Sequence, residues 1–243
     1  MSGKVVLMYH ALWSDRDDLL TISQEERPYA TKVDDFRSQM DWIAEHGMKS
    51  KIAVTFDDGH ASAVRYALPI LARLDMPATI FMATDWMSRR PGFCDRGDLQ
   101  AVKDAGWQIG AHGHTHQFLT ELTNEQLAYE LQASSVRLSE LMGTQPQMSF
   151  PGGRYTRREV EAAHEAGFVA LYGSRPGVHR EGRRAVAPRF ALRSNTSMAE
   201  FSAIAKRSLT LRARYQAGYV SKQLLKRTLG DDNYHKLYKA VKS

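Results

Sequence analysis

The strongest candidate for chemistry is a pair of adjacent acids, Asp57 and Asp58, which follow the apolar run Ile52–Phe56 and precede Gly59. Adjacent side chains in an extended chain point to opposite sides, so the two carboxylates can serve different partners. One carboxylate can bind a metal while the other accepts a proton. The same pattern is also typical of an Asx-turn that caps a following helix, and that structural interpretation stays open.

A second candidate is a group of three histidines, His112, His114 and His116, directly after the apolar run Trp107–Ala111. On one helical turn, His112 and His116 would share a face. Neutral imidazole is a common ligand of zinc and similar metals. Two histidines and one acid supply three protein ligands and leave a position for water, which is the pattern of a catalytic zinc site. His114 is interpreted as an outer contact or a solvated side chain.

Two further segments are weaker candidates. One is the loop-like segment Pro151, Gly152, Gly153, Arg154 and Tyr155. Its glycines permit close approach of the backbone, and its arginine and tyrosine could line a site. The other is His10, directly after the apolar run Val5–Tyr9. Taken alone, a loop of this composition or a single histidine is more often structural.

Alternating apolar runs and helical stretches indicate the elements that position these residues. The predicted strands are Val5–Tyr9, Ile52–Phe56, Ala78–Met82, Trp107–Ala111, Gln147–Phe150, Phe168–Tyr172 and Arg189–Leu192. The predicted helices are Asp34–His46, Ala61–Leu74, Asp98–Ala105, Thr123–Met142 and Thr156–Ala166, and Gly173–Ala187 is predicted to be a long loop. The alternation favours parallel βαβ units in a barrel or a doubly wound sheet. Functional groups in such folds lie just past the carboxyl ends of strands, where both candidate clusters stand.

Composition is that of an ordinary globular protein, with 43% hydrophobic and 25% charged residues in 243. The single cysteine, Cys94, rules out a disulfide within the chain and fits a reducing compartment. The N-terminal sequence lacks the pattern of a signal peptide, and no run approaches the ~18 apolar residues of a membrane-spanning helix. We therefore expect a soluble, cytoplasmic protein.

Basic charge is concentrated in the last part of the chain, where Phe201–Ser243 holds ten Lys or Arg against two Asp. A basic helix is predicted there, with a break near Gly230-Asp231-Asp232. Apolar residues alternate with basic ones, which suits a peripheral helix on the anionic inner face of a membrane, a helix packed on the barrel, or a dimer contact. These apolar residues are Ile204, Leu211, Tyr215, Leu224 and Leu225. Nucleic acid is disfavoured as a partner because we find no aromatic-rich face or known motif for it.

Together, the candidate segments resemble the polysaccharide deacetylases, the family 4 carbohydrate esterases with the NodB-homology domain. Thr-Phe-Asp-Asp-Gly, His-x-x-x-His and a later Pro-x-Gly occur in the family's order, and the match spans Val5–Leu192. The resemblance implies an α/β fold, a distorted (β/α)7 barrel over residues 1–200, followed by a basic helical tail over 201–243.

The resemblance also implies roles for the candidate residues. Asp57 would be the catalytic base, and Asp58, His112 and His116 would bind a divalent metal, most often Zn²⁺, with Co²⁺ or Ni²⁺ as alternatives. The segment from Pro151 to Tyr155 would line the substrate groove. The implied reaction removes the acetyl group from an N-acetylated sugar by attack of metal-bound water. The substrate would be a cell-surface glycan or a lipid- or nucleotide-linked precursor of one.

Three departures from the family pattern affect these expectations. The third motif begins with Ser149 instead of an arginine that contacts the base, and either Arg154 or Arg189 could replace it. Gly113 stands where the family has Ser or Thr. A late Leu-x-His motif, which supplies the general acid, is missing. His10 is the candidate replacement, because its strand resembles that of permuted members such as the deacetylases of poly-N-acetylglucosamine.

The alternatives are a sugar-binding pseudoenzyme on the same fold, and a deformylase or esterase acting on a related amino sugar or a lipid-linked sugar.

Overall fold

The computed structural model describes residues 3–142, 147–180 and 186–229, with the backbone alone at 141, 142, 212 and 222–229. Its strands are β1 (Lys4–Tyr9), β2 (Leu12–Trp13), β3 (Thr31–Lys32), β4 (Ile52–Phe56), β5 (Ala78–Met82), β6 (Gln108–Ala111), β7 (Gln147–Ser149), β8 (Ala170–Tyr172), β9 (Val178–His179) and β10 (Phe190–Ala191). Its α-helices are α1 (Arg16–Leu20), α2 (Val33–Glu45), α3 (Leu68–Arg73), α4 (Arg96–Asp104), α5 (Asn124–Met142), α6 (Arg157–Glu165), α7 (Met198–Ala205) and α8 (Leu209–Leu229). A π-helix, Ala63–Ala67, leads into α3.

Seven parallel strands form one curled sheet in the order β10, β1, β4, β5, β6, β7, β8. The segment 187–191 links the two ends of this order. At its start, Ala187 pairs with Tyr172 of β8, and its amide donates to the Leu171 carbonyl at 2.7 Å. At its end, Phe190 pairs with Leu7 of β1. This arrangement confirms the predicted α/β class and the distorted (β/α)7 barrel.

Side chains satisfy free backbone N–H groups at the start of α5 and α6. Thr156 and Glu159 form a capping box at the start of α6. At α5, the Gln126 amide donates to the Thr123 hydroxyl at 3.3 Å, and the Thr123 amide donates to the Gln126 side chain at 3.0 Å. These caps fix the start of α5 and α6, whose apolar faces then pack on the core.

The core lies between the sheet and its helices. In α2, apolar side chains at helical spacing are buried in the same core as β1 and β4: Val33, Phe36, Met40 and Ile43. The Phe36 ring packs edge-on against Tyr9 of β1, with ring centroids 5.1 Å apart, and also contacts Phe56 of β4. This packing anchors the two strands that end directly before His10 and Asp57.

Two features of the fold were not predicted. The segment predicted as a long loop, Gly173–Ala187, contains β9, which pairs antiparallel with β1. A second, two-stranded sheet joins β2 to β3. Each of these three strands has two residues, and a two-residue strand carries no periodic signal in the sequence.

The described part of the basic tail packs on the barrel. Phe201 and Ile204 of α7 are fully buried in the same core as the strands. The Phe201 ring packs edge-on against Trp42 of α2, with ring centroids 5.9 Å apart. Tyr215 of α8 lies against Phe190, with ring centroids 5.7 Å apart. These contacts favour the interpretation of the tail as a helix packed on the barrel. The side chains of Leu224 and Leu225 and the predicted break at 230–232 lie outside the described residues.

Within the described ranges, no helix combines the length and apolar character needed to cross a membrane. The division of the chain at residues 200 and 201 stays a prediction.

Candidate metal and catalytic site

Neighbouring parallel strands bring the candidate residues to one edge of the sheet. Asp57 and Asp58 follow β4, His112 follows β6, and Ser149 ends β7. Asp58 has a left-handed φ of 71° and the next residue, Gly59, one of 77°. The chain therefore turns sharply after Asp57, and the two carboxylates have different partners.

Asp58, His112 and His116 can each offer one ligand atom, and these three atoms lie within 4.8 Å of one another. Asp58 Oδ1 is 3.4 Å from His112 Nε2 and 3.1 Å from His116 Nε2. Zinc–nitrogen bonds of about 2.0–2.1 Å in a tetrahedral site place neighbouring ligand atoms about 3.3 Å apart. The spacing and the donor types of this triad therefore fit a divalent metal such as zinc.

His112 is oriented as a ligand by the strand beside it. Its Nδ1–H donates to the Ser149 carbonyl at 2.8 Å, which leaves Nε2 unprotonated in the neutral ring and directed at Asp58. Burial lowers the pKa of His112 to about 4, so its ring is neutral at pH 7. A neutral imidazole is the form that binds metals.

His116 reaches the same point from a loop instead of a helix. Residues 112–116 are not helical, and His116 has a left-handed φ of 65°. The expectation that one helical turn aligns the two histidines was therefore wrong, because Gly113 at φ 76° breaks the turn. Burial alone would lower the pKa of His116, but the hydrogen bond to Asp58 and the charge of that carboxylate outweigh it and raise the pKa.

Asp57 forms a buried ion pair with Arg189. Two guanidinium nitrogens donate to Asp57 Oδ1 and Oδ2, each at 2.7 Å, and Arg189 has no exposed surface. The Ser149 hydroxyl donates to Asp57 Oδ2 at 3.1 Å and accepts from Arg189 at 2.6 Å. Arg189 also donates to the Thr55 hydroxyl and the Gly173 carbonyl. Of the two arginines left open by the sequence, Arg189 is the one that contacts Asp57.

The ion pair sets the charge of Asp57. Burial alone would raise the pKa of this carboxyl, but Arg189 and then His112 outweigh burial and hold the pKa below its ordinary value. The pKa of Asp58 is also well below its ordinary value, because the hydrogen bond to His116 and the charges of His10 and His112 outweigh burial. Both carboxylates are therefore ionised at neutral pH.

The predicted groove segment is a tight turn beside residues 112–116, which we call the histidine loop. Pro151–Gly153 is a short 3-10 helix, and both Gly152 and Gly153 have left-handed φ values. Arg154 points away from Asp57: it pairs with Glu121 at 2.8 Å and lies over the Phe118 ring, 3.8 Å from its centroid.

In the same segment, the Tyr155 ring stacks on Phe150. Of the five residues predicted to line the groove, Arg154 is the one held by other contacts, with Glu121 and Phe118.

His10 lies at the same edge of the sheet as Asp57, because the preceding residue, Tyr9, pairs with Phe56 and accepts a hydrogen bond from the Asp57 amide at 2.9 Å. Its ring packs on Tyr29 with centroids 5.0 Å apart, and within the described residues its buried Nδ1 makes no hydrogen bond. His114 faces away from the triad, with its Nδ1 2.9 Å from the Thr84 hydroxyl. Its interpretation as an outer contact agrees with that position.

Two residues with contacts at the site, Ser149 and Glu130, were not predicted from the sequence. The Ser149 hydroxyl links Asp57 to Arg189, although the sequence presented Ser149 only as a missing arginine. Glu130 of α5 is buried against the histidine loop. Its signal was present in the sequence, because an acid stands in the apolar stripe of α5 between Leu127 and Leu131.

The sequence of this chain matches a family model and two curated proteins. The family model of polysaccharide deacetylase matches residues 44–171, more than half of the chain. The chain is 25% identical over 193 residues to YxkH of Bacillus subtilis, which carries the name of a polysaccharide deacetylase. It is 26% identical over 129 residues to an uncharacterized protein of Geobacillus stearothermophilus. These matches cover 71% and 52% of this chain, and it spans only 64% and 47% of the two relatives.

Solved structures share the fold at low identity. A polysaccharide deacetylase from Bacillus cereus superposes with a TM-score of 0.71 at 21% identity, over 84% of this chain and 69% of that one. The deacetylase PplD of Streptococcus pyogenes gives 0.72 at 17% identity, over 84% and 98%. IcaB of Ammonifex degensii gives 0.68 at 21% identity, over 89% and 98%.

Proposed function

The chain belongs to the polysaccharide deacetylase family, and from this membership we propose that it hydrolyses the acetamide group of an N-acetylated sugar at the site formed by Asp57, Asp58, His112 and His116. The observation that carries the proposal is the pairing of a metal-ligand triad with a separate, ionised carboxylate. Asp58 faces the two histidines, whereas Asp57 is held by Arg189. Binding a metal and accepting a proton are thus assigned to different side chains.

Asp58, His112 and His116 would hold the divalent metal. Two imidazoles and one carboxylate suit zinc, which we take as the first choice, with cobalt or nickel as alternatives. A cation bound there polarises the amide carbonyl and lowers the pKa of a water molecule. His112 is already neutral and oriented by the Ser149 carbonyl, so little reorganisation is needed for it to act as a ligand.

Asp57 would take the proton of the attacking water. A carboxylate has about four lone-pair sites. Two guanidinium N–H groups and the Ser149 hydroxyl occupy three of them, so one remains for the water. Arg189 fixes the orientation of the carboxylate and keeps it ionised, and both side chains of the pair are buried.

His10 would protonate the leaving amine. It follows β1, which pairs with β4, the strand directly before Asp57 and Asp58. In the segment from Pro151 to Tyr155, the side chains of Pro151 and Tyr155 and the backbone of Gly152 and Gly153 would contact the sugar, and Arg154 would hold the turn in place through Glu121.

The substrate class that we propose is an N-acetylated cell-surface glycan, or a lipid- or nucleotide-linked precursor of one. A cytoplasmic location is part of the proposal, and its support is that Cys94 is the only cysteine of the chain.

The test is acetate release from short N-acetylglucosamine oligomers by protein that has been stripped of metal and reloaded with Zn²⁺ or Co²⁺. We expect release to require the metal. Asp57→Asn and His10→Ala should each lose roughly 100- to 10,000-fold in turnover while they retain stoichiometric metal. Asp41→Asn is the matched control, because Asp41 lies on the outer helix α2 and pairs with Arg73.

Full turnover in Asp57→Asn would remove the proposed base, and full turnover in His10→Ala would remove the proposed acid. A wild-type protein that binds sugar but no metal would favour the sugar-binding pseudoenzyme instead.

A further inference from the structure

Glu130 is a buried acid whose contacts all lead to the histidine loop. It lies on α5 and is 3% exposed. In the described part of the chain, the donors that contact it are the His114 amide at 2.9 Å, the Thr115 amide at 3.0 Å and the Thr115 hydroxyl at 2.6 Å. An ionised carboxylate is costly to bury unless hydrogen bonds satisfy it. These three bonds explain why the sequence keeps an acid in an apolar stripe.

The opposite side of the loop is held by backbone groups. The Thr84 amide donates to the Gly113 carbonyl at 3.2 Å, and the Asp85 amide donates to the His114 carbonyl at 2.9 Å. The loop is therefore clamped between Glu130, which takes its N–H groups, and the chain after β5, which takes its carbonyls. Gly113 begins this loop with a left-handed φ of 76°, a conformation that favours glycine.

The clamp ends at a strained ligand. His116 directly follows Thr115 and has a left-handed φ of 65°, a conformation that is unfavourable for a residue with a side chain. Such a conformation persists only where the surroundings over-determine it. Fixing the two preceding amides removes the freedom by which His116 could relax away from Asp58.

We propose that Glu130 is a positioning residue for the metal site, which holds His116 in place through the amides of His114 and Thr115 without touching the metal. This inference rests on the proposed function in that it assumes the triad of Asp58, His112 and His116 binds a divalent cation. It assigns part of the metal affinity to a helix that carries no ligand.

The experiment measures Co²⁺ affinity, by competition with a chromophoric chelator, together with the visible spectrum of the Co²⁺-loaded protein. Glu130→Ala should lose roughly 10- to 100-fold in affinity and change the spectrum, as outer partners of metal ligands usually do when removed. Glu130→Gln should stay within about threefold of wild-type affinity. The glutamine carbonyl can accept hydrogen bonds from both backbone amides, and its side-chain NH2 group can donate to Thr115 Oγ. Thr115→Val, which removes one donor of three, should lose an intermediate amount.

Two controls separate positioning from general stability. Glu140→Ala alters the same helix at an exposed acid that pairs with Arg137, and should leave Co²⁺ affinity unchanged. Phe201→Ala removes a core side chain remote from the loop, and should lower stability without changing affinity.

Wild-type affinity in both Glu130→Ala and Thr115→Val, or an equal loss in Phe201→Ala, overturns the inference alone. A wild-type protein that binds no Co²⁺ overturns the metal site and the inference together.

Discussion

The partner of the base comes from a distant part of the chain. Arg189 and Asp57 are 132 residues apart in sequence, and both are buried. Burying such a pair is favourable only when geometry is excellent and the remaining polar atoms are satisfied. Both conditions hold, because Ser149, Thr55 and the Gly173 carbonyl take up the remaining hydrogen bonds.

Replacing Arg189 by Met should shift the pH dependence of turnover. Arg189 is the largest influence that lowers the pKa of Asp57. Without it, burial, which raises this pKa, would dominate. The base acts only when ionised, so activity is lost as pH falls through its pKa. The acidic limb of kcat/KM should therefore move to higher pH by about one unit or more.

The control for this variant is Arg154→Met. Arg154 contacts Glu121 and Phe118, so its loss should leave the acidic limb in place. An unshifted limb in Arg189→Met, measured on correctly folded protein, would contradict the assignment of Arg189 as the partner of the base.

The site residues that stand in short sequence motifs were predictable from the sequence. Asp57, Asp58, His112 and His116 stand in short motifs directly after apolar runs, and residue type with position was enough to single them out. The choice between Arg154 and Arg189 was not predictable. It depends on which side chain the closing of the barrel brings over Asp57, and that is a property of the whole sheet.

Elements were predicted well where periodicity is strong. The strands β4 and β5 have the predicted bounds, and four predicted helices lie within a few residues of α2, α4, α5 and α6. The predicted helix Ala61–Leu74 corresponds to the π-helix Ala63–Ala67 and α3 taken together. The loop after β6 was not predicted, because its form depends on hydrogen bonds to Glu130 and to the chain after β5. Local spacing alone suggested a helical turn there, which the structure does not contain.

The turn that follows β7 should tolerate no side chain at Gly153. A Cβ there would lie 1.8 Å from Ser174 Oγ, and the φ of 65° is itself unfavourable for other residues. We expect Gly153→Ala to cost about 2–4 kcal/mol of stability in urea unfolding.

Gly106→Ala is the comparison for that variant, because Gly106 has a φ of 74° but nothing within 4 Å of a Cβ. Gly106→Ala should cost about 1–2 kcal/mol of stability, because the unfavourable φ contributes and no clash adds to it. Adding Ser174→Gly to Gly153→Ala should recover the difference. Equal losses at the two glycines would mean that the clash with Ser174 is relieved by other movement.

At the scale of the molecule, the core of the barrel includes α7. Phe201 is fully buried beside Trp42, so Phe201→Ala should cost about 3–5 kcal/mol. Leu209, at the start of α8, is 71% exposed, and Leu209→Ala should change stability by no more than about 0.5 kcal/mol. Thermal or urea unfolding of the two variants tests this. Similar values for both would place α7 outside the cooperative unit of the barrel.

The segment that closes the barrel also sets the order in which the site is completed during synthesis. The two acids and the histidines leave the ribosome well before Arg189, which follows Asp57 by 132 residues. At about 5–20 residues per second, that interval lasts roughly 7–26 s. Until Arg189 arrives, folding of the first strands would bury Asp57 without its cation, which is unfavourable. Burial of an ionised Asp57 is therefore favourable only once Arg189 is in place, so the ion pair couples the proposed base to the joining of β8 and β1 by the segment 187–191.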